Sequence, residues 1–274
     1  MKRKKKIAFV LISVVFAIIC FAALRIYQHF INDNAYPVIT FEKGTPSFST
    51  SATESELLKG VTATDAEDGD VTDSVIVAGY SRMIGDANVK VEYVAFDSNN
   101  HVTQATRVVH FTDYKSPHFT LSLPLVCKES DVENIINAVG AVDDIDGDLS
   151  SKVKVIVTDK STLSKNGEHT LEFRVTNSLG ETVYLPVSLE IVNSSYNTAK
   201  ITLKDYLVYI KKGSEFNAEN YVVSYLRDGN LQEDASGLRI ESDVDTSTPG
   251  TYEVTYRYGN GSSSSYTKLV VIVE

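Results

Sequence analysis

The sequence predicts an all-β chain: three tandem Greek-key β-sandwiches over residues 36–113, 117–193 and 199–274, after one N-terminal transmembrane helix over residues 7–27. Three observations predict it. Val, Thr, Tyr, Ser and Ile are abundant, the residue types that suit a pleated, half-buried surface. One segment pattern returns three times at a spacing of about 80 residues. The first thirty residues join a basic block to an uncharged apolar run. With 43% hydrophobic and 23% charged residues, the chain is neither disordered nor a multi-span membrane protein.

The N-terminal element comes first. Lys2, Arg3, Lys4, Lys5 and Lys6 form a basic tail, residues 1–6, and no charge occurs from Ile7 to Leu24. Those eighteen residues make about 27 Å of helix, close to the hydrocarbon thickness of a bilayer. Ala22 and Ala23 still lie inside the apolar run, and bulky Phe21 and Leu24 flank the small-residue pair Cys20 and Ala22. An uncleaved anchor is therefore expected rather than a cleaved signal. The basic flank predicts a cytoplasmic N-terminus and an extracellular body. That body is acidic: residues 31–274 hold 20 basic against 36 acidic groups, net −16, which argues against nucleic acid as a partner. Cys127 has no second cysteine in the body, so no disulfide framework exists there. A cysteine-poor exported chain fits a Gram-positive cell membrane.

The repeats follow. Pro37-Val38-Ile39-Thr40-Phe41 recurs as Pro117-His118-Phe119-Thr120-Leu121 and as Ala199-Lys200-Ile201-Thr202-Leu203. Thr64-Asp65-Ala66-Glu67-Asp68-Gly69-Asp70 returns as Val142-Asp143-Asp144-Ile145-Asp146-Gly147-Asp148, and in the third copy only Asp228-Gly229-Asn230-Leu231 survives. Val91, Tyr93 and Ala95 align with Leu171, Phe173 and Val175 and with Val254, Tyr256 and Tyr258, each set alternating as a half-buried strand does. Asp97-Ser98-Asn99-Asn100, Asn177-Ser178-Leu179-Gly180 and Gly259-Asn260-Gly261 supply hairpin turns before a last strand. Helix is confined to single turns near Glu54–Leu58 and Asp131–Ile136. Ser194 to Thr198 punctuates the second junction. Stacked end to end at about 35 Å each, three such units would reach roughly 100 Å.

Two segments carry a resemblance. Val244-Asp245-Thr246-Ser247-Thr248-Pro249-Gly250-Thr251-Tyr252-Glu253-Val254-Thr255-Tyr256 and the Thr64–Val71 stretch resemble the signatures of a bacterial immunoglobulin-like family named after the Ig-like domain of a pesticidal crystal protein. The resemblance covers residues 36–274, although the first copy lacks the Thr-Pro-Gly-Thr-Tyr turn. It implies tandem Ig-like modules on a Gram-positive surface and brings no catalytic residues.

The remaining chemistry is sparse. His29, His101, His110, His118 and His169 show no metal or catalytic spacing, no G-x-S-x-G elbow or phosphate loop occurs, and Gly261-Ser262-Ser263-Ser264-Ser265 reads as a turn. Cys127 has no base assembled near it in sequence. The chain is expected to be non-enzymatic. Calcium is the one cofactor the pattern admits: Asp65, Asp68 and Asp70 could converge with Asp97, and Asp143, Asp146 and Asp148 with Asn177 below Asp113, as hard oxygen ligands. The other reading has these carboxylates solvated or capping backbone amides in Asp-Gly turns. Nine of fifteen tyrosines fall in residues 194–274. Tyr252, Tyr256 and Tyr258 share the core parity of Val254, which leaves Tyr206, Tyr209, Tyr221 and Tyr225 as an exposed cluster. The expected function is a membrane-anchored surface stalk or adhesion module that binds an extracellular protein or glycan. Carbohydrate binding, and service as an accessory subunit of an extracellular hydrolase, stay open.

Overall fold

The computed structural model describes residues 2–31, 35–85, 87–157, 163–192, 199–227, 230–232, 235–260 and 263–274. The expected Ser194–Thr198 junction, the Asp228-Gly229 remnant and Gly261-Ser262 lie outside the described residues. The chain falls into two compact units. One comprises Met1–Phe48, Ala52–Ser81 and Asn88–His110; the other comprises Ser49–Ser51, Arg82–Ala87 and Phe111–Glu274.

Helix α1 (Lys2–Ile31) opens the chain. Its side chains are described from residue 13 to 27, and every one is exposed, including Val14, Phe16, Ile18, Ile19, Phe21 and Leu24. Among the described residues, no helix is long and apolar enough to cross a membrane.

Seven strands then recur in each copy. The first copy has β1 (Val38–Phe41), β2 (Ser47–Phe48), β3 (Val61–Asp65), β4 (Gly69–Asp70), β5 (Ile76–Met83), β6 (Asn88–Phe96) and β7 (Val102–Phe111). The second has β8 (His118–Leu121), β9 (Val126–Cys127), β10 (Val139–Asp143), β11 (Gly147–Asp148), β12 (Lys154–Val157), β13 (Gly167–Thr176) and β14 (Thr182–Ile191). The third has β15 (Ala199–Leu203), β16 (Leu207–Ile210), β17 (Val222–Arg227), β18 (Asn230–Gln232), β19 (Leu238–Ser242), β20 (Gly250–Asn260) and β21 (Ser263–Val273). Short helices α2 (Glu54–Leu57) and α3 (Val132–Asn137) fall where the sequence put single turns. Thr53 caps α2, donating its N–H to the Glu56 carboxylate at 2.9 Å.

Each copy forms a three-stranded and a four-stranded sheet with one connectivity: β1-β3-β4 with β2-β7-β6-β5, β8-β10-β11 with β12-β13-β14-β9, and β15-β17-β18 with β16-β21-β20-β19. The first strand pairs antiparallel with the third and the third with the fourth, while the second, fifth, sixth and seventh strands make the other sheet. In the second and third copies the second strand runs parallel to the last, with Cys127 opposite Ile191 and Ile210 opposite Val273. The aligned positions behave as the alternation predicts. Val91, Tyr93, Leu171, Phe173, Val254 and Tyr256 are all buried at 1% exposure or less, each large one worth roughly 1.5–3 kcal/mol of burial.

The second and third copies pack against one another within the second unit, which the end-to-end arrangement does not anticipate. Val270 of β21, with Leu207 and Ile272, extends the buried cluster of Phe119, Leu125, Leu189 and Ile191 in the second copy. Mid-strand residues meet there. Lys268 is 5% exposed and donates to Glu168 on β13 at 2.9 Å, to Glu253 on β20 at 3.0 Å and to the Ser188 hydroxyl on β14. Glu253 also accepts the Ser188 N–H at 2.6 Å. Tyr209 on β16 accepts the N–H of Phe119 at 2.7 Å, and its ring lies 4.4 Å from that of His118. The lengths of these two copies therefore do not add.

Candidate functional site

The acidic loops come first, since they carry the residues singled out from sequence. In both copies a tight hairpin returns through a glycine with positive φ, Gly69 at +76° and Gly147 at +69°. Asp65 Oδ1 accepts the N–H groups of Glu67 and Asp68 at 2.7 and 3.1 Å; Asp143 Oδ1 accepts those of Ile145 and Asp146, both at 2.9 Å. Asp68 reaches the next hairpin and takes the Ser98 N–H at 2.6 Å, as Asp146 takes that of Ser178 at 2.6 Å. Asp70 caps Thr72 N at 3.0 Å and Asp148 caps Ser150 N at 2.8 Å. Asp97 Oδ1 receives the N–H groups of Asn99 and His101, while Oδ2 sits 2.6 Å from His101 Nδ1.

In the first two copies the two loops do adjoin, and the bonds their carboxylates make go mainly to amides and hydroxyls. Asp113 serves a different place: it accepts from Ser49 Oγ and Thr50 N. Among the described residues, no group of three or more His, Cys, Asp and Glu side chains could hold a metal ion. Ionisation is favoured by the same bonds. The hydroxyl and N–H of Thr72 hold Asp70 below the usual carboxylate range, and those of Ser150 do so for Asp148. At Asp97 and Asp146 burial opposes ionisation but is outweighed, by His101 at the first and by Ser178 at the second, so both also sit low.

One difference separates the copies. Asn177 donates Nδ2 to Asp143 Oδ2 at 3.1 Å and to the Tyr114 hydroxyl at 2.8 Å, and Tyr114 in turn bonds Glu181. Its counterpart Asp97 has no side-chain amide to give, and among the described residues the buried Oδ2 of Asp65 has no hydrogen-bond partner.

The tyrosines correct an expectation. Tyr206, Tyr209, Tyr221 and Tyr225 form no exposed cluster; all four are part-buried. Tyr206, Tyr221 and Tyr225 pack on the core of Ile201, Val254 and Tyr256, and Tyr225 stacks on Tyr258 at 4.9 Å. Tyr209 turns towards the second copy, and burial pushes its hydroxyl up to about 12. Tyr256 and Tyr258 are core, as their parity predicts, whereas Tyr252 is part-buried and packs against that core. Cys127 is buried, and that burial pushes its thiol up to about 11, so the thiolate is scarce at neutral pH.

A cleft of about 460 Å³ opens where the second and third copies meet, lined by Val126, Glu190, Arg239, Arg257, Tyr258 and Tyr266 among others. The Arg257 guanidinium lies 4.9 Å from the Tyr266 ring centroid and 3.7 Å from Glu241. Sequence reading did not find it, although Arg257 sits at an outward parity of β20 that points to it.

Paired three- and four-stranded sheets with this Greek-key connectivity make an immunoglobulin-like sandwich. Residues 201–272 match the family described as "Bacterial surface protein, Ig-like domain". The pesticidal crystal protein Cry22Aa of Bacillus thuringiensis is 33% identical over 119 residues, 42% of this chain, which spans 16% of that protein. Among solved structures, one of Clostridium perfringens ZmpB, holding CBM51-2 in complex with GlcNAc and INT domains, is 18% identical over 54% of this chain and 26% of its own, with a TM-score of 0.22. Human CDH23 EC21-23 is 12% identical over 86% of this chain and all of its own, with a TM-score of 0.20. TM-scores this low carry no shared architecture.

Proposed function

We propose that this chain is a non-enzymatic, membrane-anchored protein of a bacterial surface, whose Ig-like sandwiches present an interaction face to an extracellular protein. The observation that carries the reading is α1. Its described apolar side chains are exposed on every side, with Phe16 at 66% and Ile18 at 61%. A helix apolar all round is stable only inside a protein core or a lipid bilayer. The described residues of α1 do not by themselves make a span, but in the full sequence the uncharged run Ile7–Leu24 behind a basic tail has the length and flank of one. The match of residues 201–272 to a bacterial surface family supports the same address. Protease added to intact protoplasts should degrade residues 31–274 and leave the helix protected. A mature N-terminus between Ala22 and Asn32 would overturn the anchor.

The 460 Å³ cleft favours a second reading, glycan binding. It offers tyrosine rings, arginine donors and backbone from Gly167, Gly237 and Gly259, the mixture a saccharide site uses. Retention of the full chain on cell-wall polysaccharide, lost in Tyr266→Ala, would select this reading over protein adhesion.

A further inference from the structure

Arg107 occupies a position that is aliphatic in the other two copies. It stands opposite Val91 across β6 and β7, as Val187 stands opposite Leu171 and Leu269 opposite Val254. Val187 and Leu269 are ordinary core residues at 5% and 0% exposure. Arg107 is buried to 6% exposure, yet it is permanently charged. Its Nη1 donates to Lys59 O at 2.9 Å, and its Nη2 donates to Leu57 O at 2.7 Å and the Tyr93 hydroxyl at 2.9 Å. Phe41, Phe48 and Tyr93 surround the guanidinium at 5.7, 5.9 and 5.4 Å. Carbonyls and ring faces soften the charge without neutralising it. Among the described residues, none of the ion pairs involves Arg107, and its Nε has no hydrogen-bond partner. A buried charge without a counter-ion is costly, and an aliphatic side chain in the same place is not.

Capping the end of α2 does not require it. Tyr93 already gives its hydroxyl to Leu57 O at 2.9 Å, and in the third copy the aligned Tyr256 closes the turn at Ala218 O in the same way at 2.8 Å, with Leu269 at the arginine position. What the arginine adds is a positive wall to a cavity of about 270 Å³, lined otherwise by Glu42, Lys43, Gly44, Thr45, Pro46, Phe48 and Lys59. Three cations face one carboxylate there, in a chain whose net charge is −10. The volume falls below that of drug-sized ligand sites, roughly 300–1,000 Å³, so it suits one small group.

We propose that this cavity is a binding site for a small oxyanion, a carboxylate or phosphate borne on a unit no larger than one sugar ring, with Arg107 as its buried counter-charge and Lys43 and Lys59 at its mouth. The site is independent of the adhesion reading.

Thermal unfolding of the full chain in sodium glucuronate, sodium phosphate or sodium chloride at matched ionic strength tests it. A saturable rise of about 4 °C or more over chloride is expected for at least one oxyanion. Response to glucuronate alone assigns an acidic sugar; response to phosphate alone assigns a phosphate group. Arg107→Leu, which copies the third sandwich, should fold and lose the response, and Lys43→Gln should need a higher anion concentration for the same rise. Titration should also shift the Arg107 Nε–H proton resonance. Identical midpoints in all three salts, or a wild-type response in Arg107→Leu, would overturn the proposal. Should Arg107→Leu fail to fold, an unchanged anion response in Lys43→Gln/Lys59→Gln would overturn it equally.

Discussion

Lys268 and Glu168, one hundred residues apart in sequence, form a 2.9 Å ion pair that ties the third sandwich to the second. The lysine end is 5% exposed and the glutamate end 60%, so the pair is desolvated from one side only. Glu253, at 24%, completes the arrangement from the third copy.

Lys268→Met should leave Glu253 and Ser188 facing each other without the ammonium between them. Removing one partner of a desolvated, hydrogen-bonded charge pair costs about 2–5 kcal/mol, and the solvent access of Glu168 places this case near 2. The denaturant midpoint should fall accordingly, and adding Glu253→Gln should recover part of the loss. An unchanged midpoint in the single variant would show that the pair contributes nothing net.

Because Val270 and Ile272 belong to a cluster centred on the second copy, residues 111–274 should unfold in one cooperative transition. Residues 114–193 and 199–274, prepared separately, should each melt below the joined fragment and bind a hydrophobic dye. Two separated transitions in 111–274 would mean that the copies fold independently.

Tyr209→Phe removes the acceptor for Phe119 N. An orphaned, part-buried amide costs about 1–3 kcal/mol, and hydrogen exchange at Phe119 should quicken more than at Leu121. Equal protection in variant and parent would show that a solvent molecule replaces the hydroxyl without loss.

Acid should destabilise the fold in a defined window. The side-chain bonds from Lys268 and Ser188 hold Glu168 below the usual range, and Asp70, Asp97, Asp146 and Asp148 are also low. A carboxyl with a depressed folded value contributes stability that is complete above its unfolded value, about 4, and is lost as pH falls through the folded one. The melting temperature should stay level near neutrality and drop below about pH 4. A decline beginning near pH 6 would point to a histidine instead.

The acidic loops make their own test. Asp146→Ala removes the bonds to Ser178 N and Oγ and should cost about 2 kcal/mol, in line with hydrogen bonds to a charged group. Millimolar Ca²⁺ and chelator should give the same midpoint for the parent chain. A higher midpoint in Ca²⁺ would establish that these carboxylates are ligands as well as caps.

Much of this was legible in the residues. The period-two sets Val91-Tyr93-Ala95, Leu171-Phe173-Val175 and Val254-Tyr256-Tyr258 identify buried faces because alternation is a one-body property of a strand. The Asp-x-x-Asp-Gly-Asp turns announce hairpins because only certain residues stabilise them locally. The packing of the second copy on the third depends on two surfaces meeting, and its one sequence trace is Leu269-Val270-Val271-Ile272-Val273. That run does not alternate, which is how a strand covered on both faces reads. Tyr209 gave no such trace, since a tyrosine that caps a neighbour's amide has the composition of one that stacks a ligand. Arg107 was hidden for the opposite reason: a cation in a strand is ordinarily solvated, and only its register with Val187 and Leu269 reveals that it is not.

The parallel pairing of β9 with β14 and of β16 with β21 has a mechanical corollary. Tension along the backbone pulls the second strand of such a sandwich back towards its start and the last strand forward towards its end. In strands that run the same way, those pulls slide one past the other. From Leu207–Val270 to Ile210–Val273 the rungs are then loaded together in shear instead of being peeled open singly. The third sandwich is braced to stay folded when tugged lengthwise, the direction from which flow or a tethered neighbour would pull a protein held at one end.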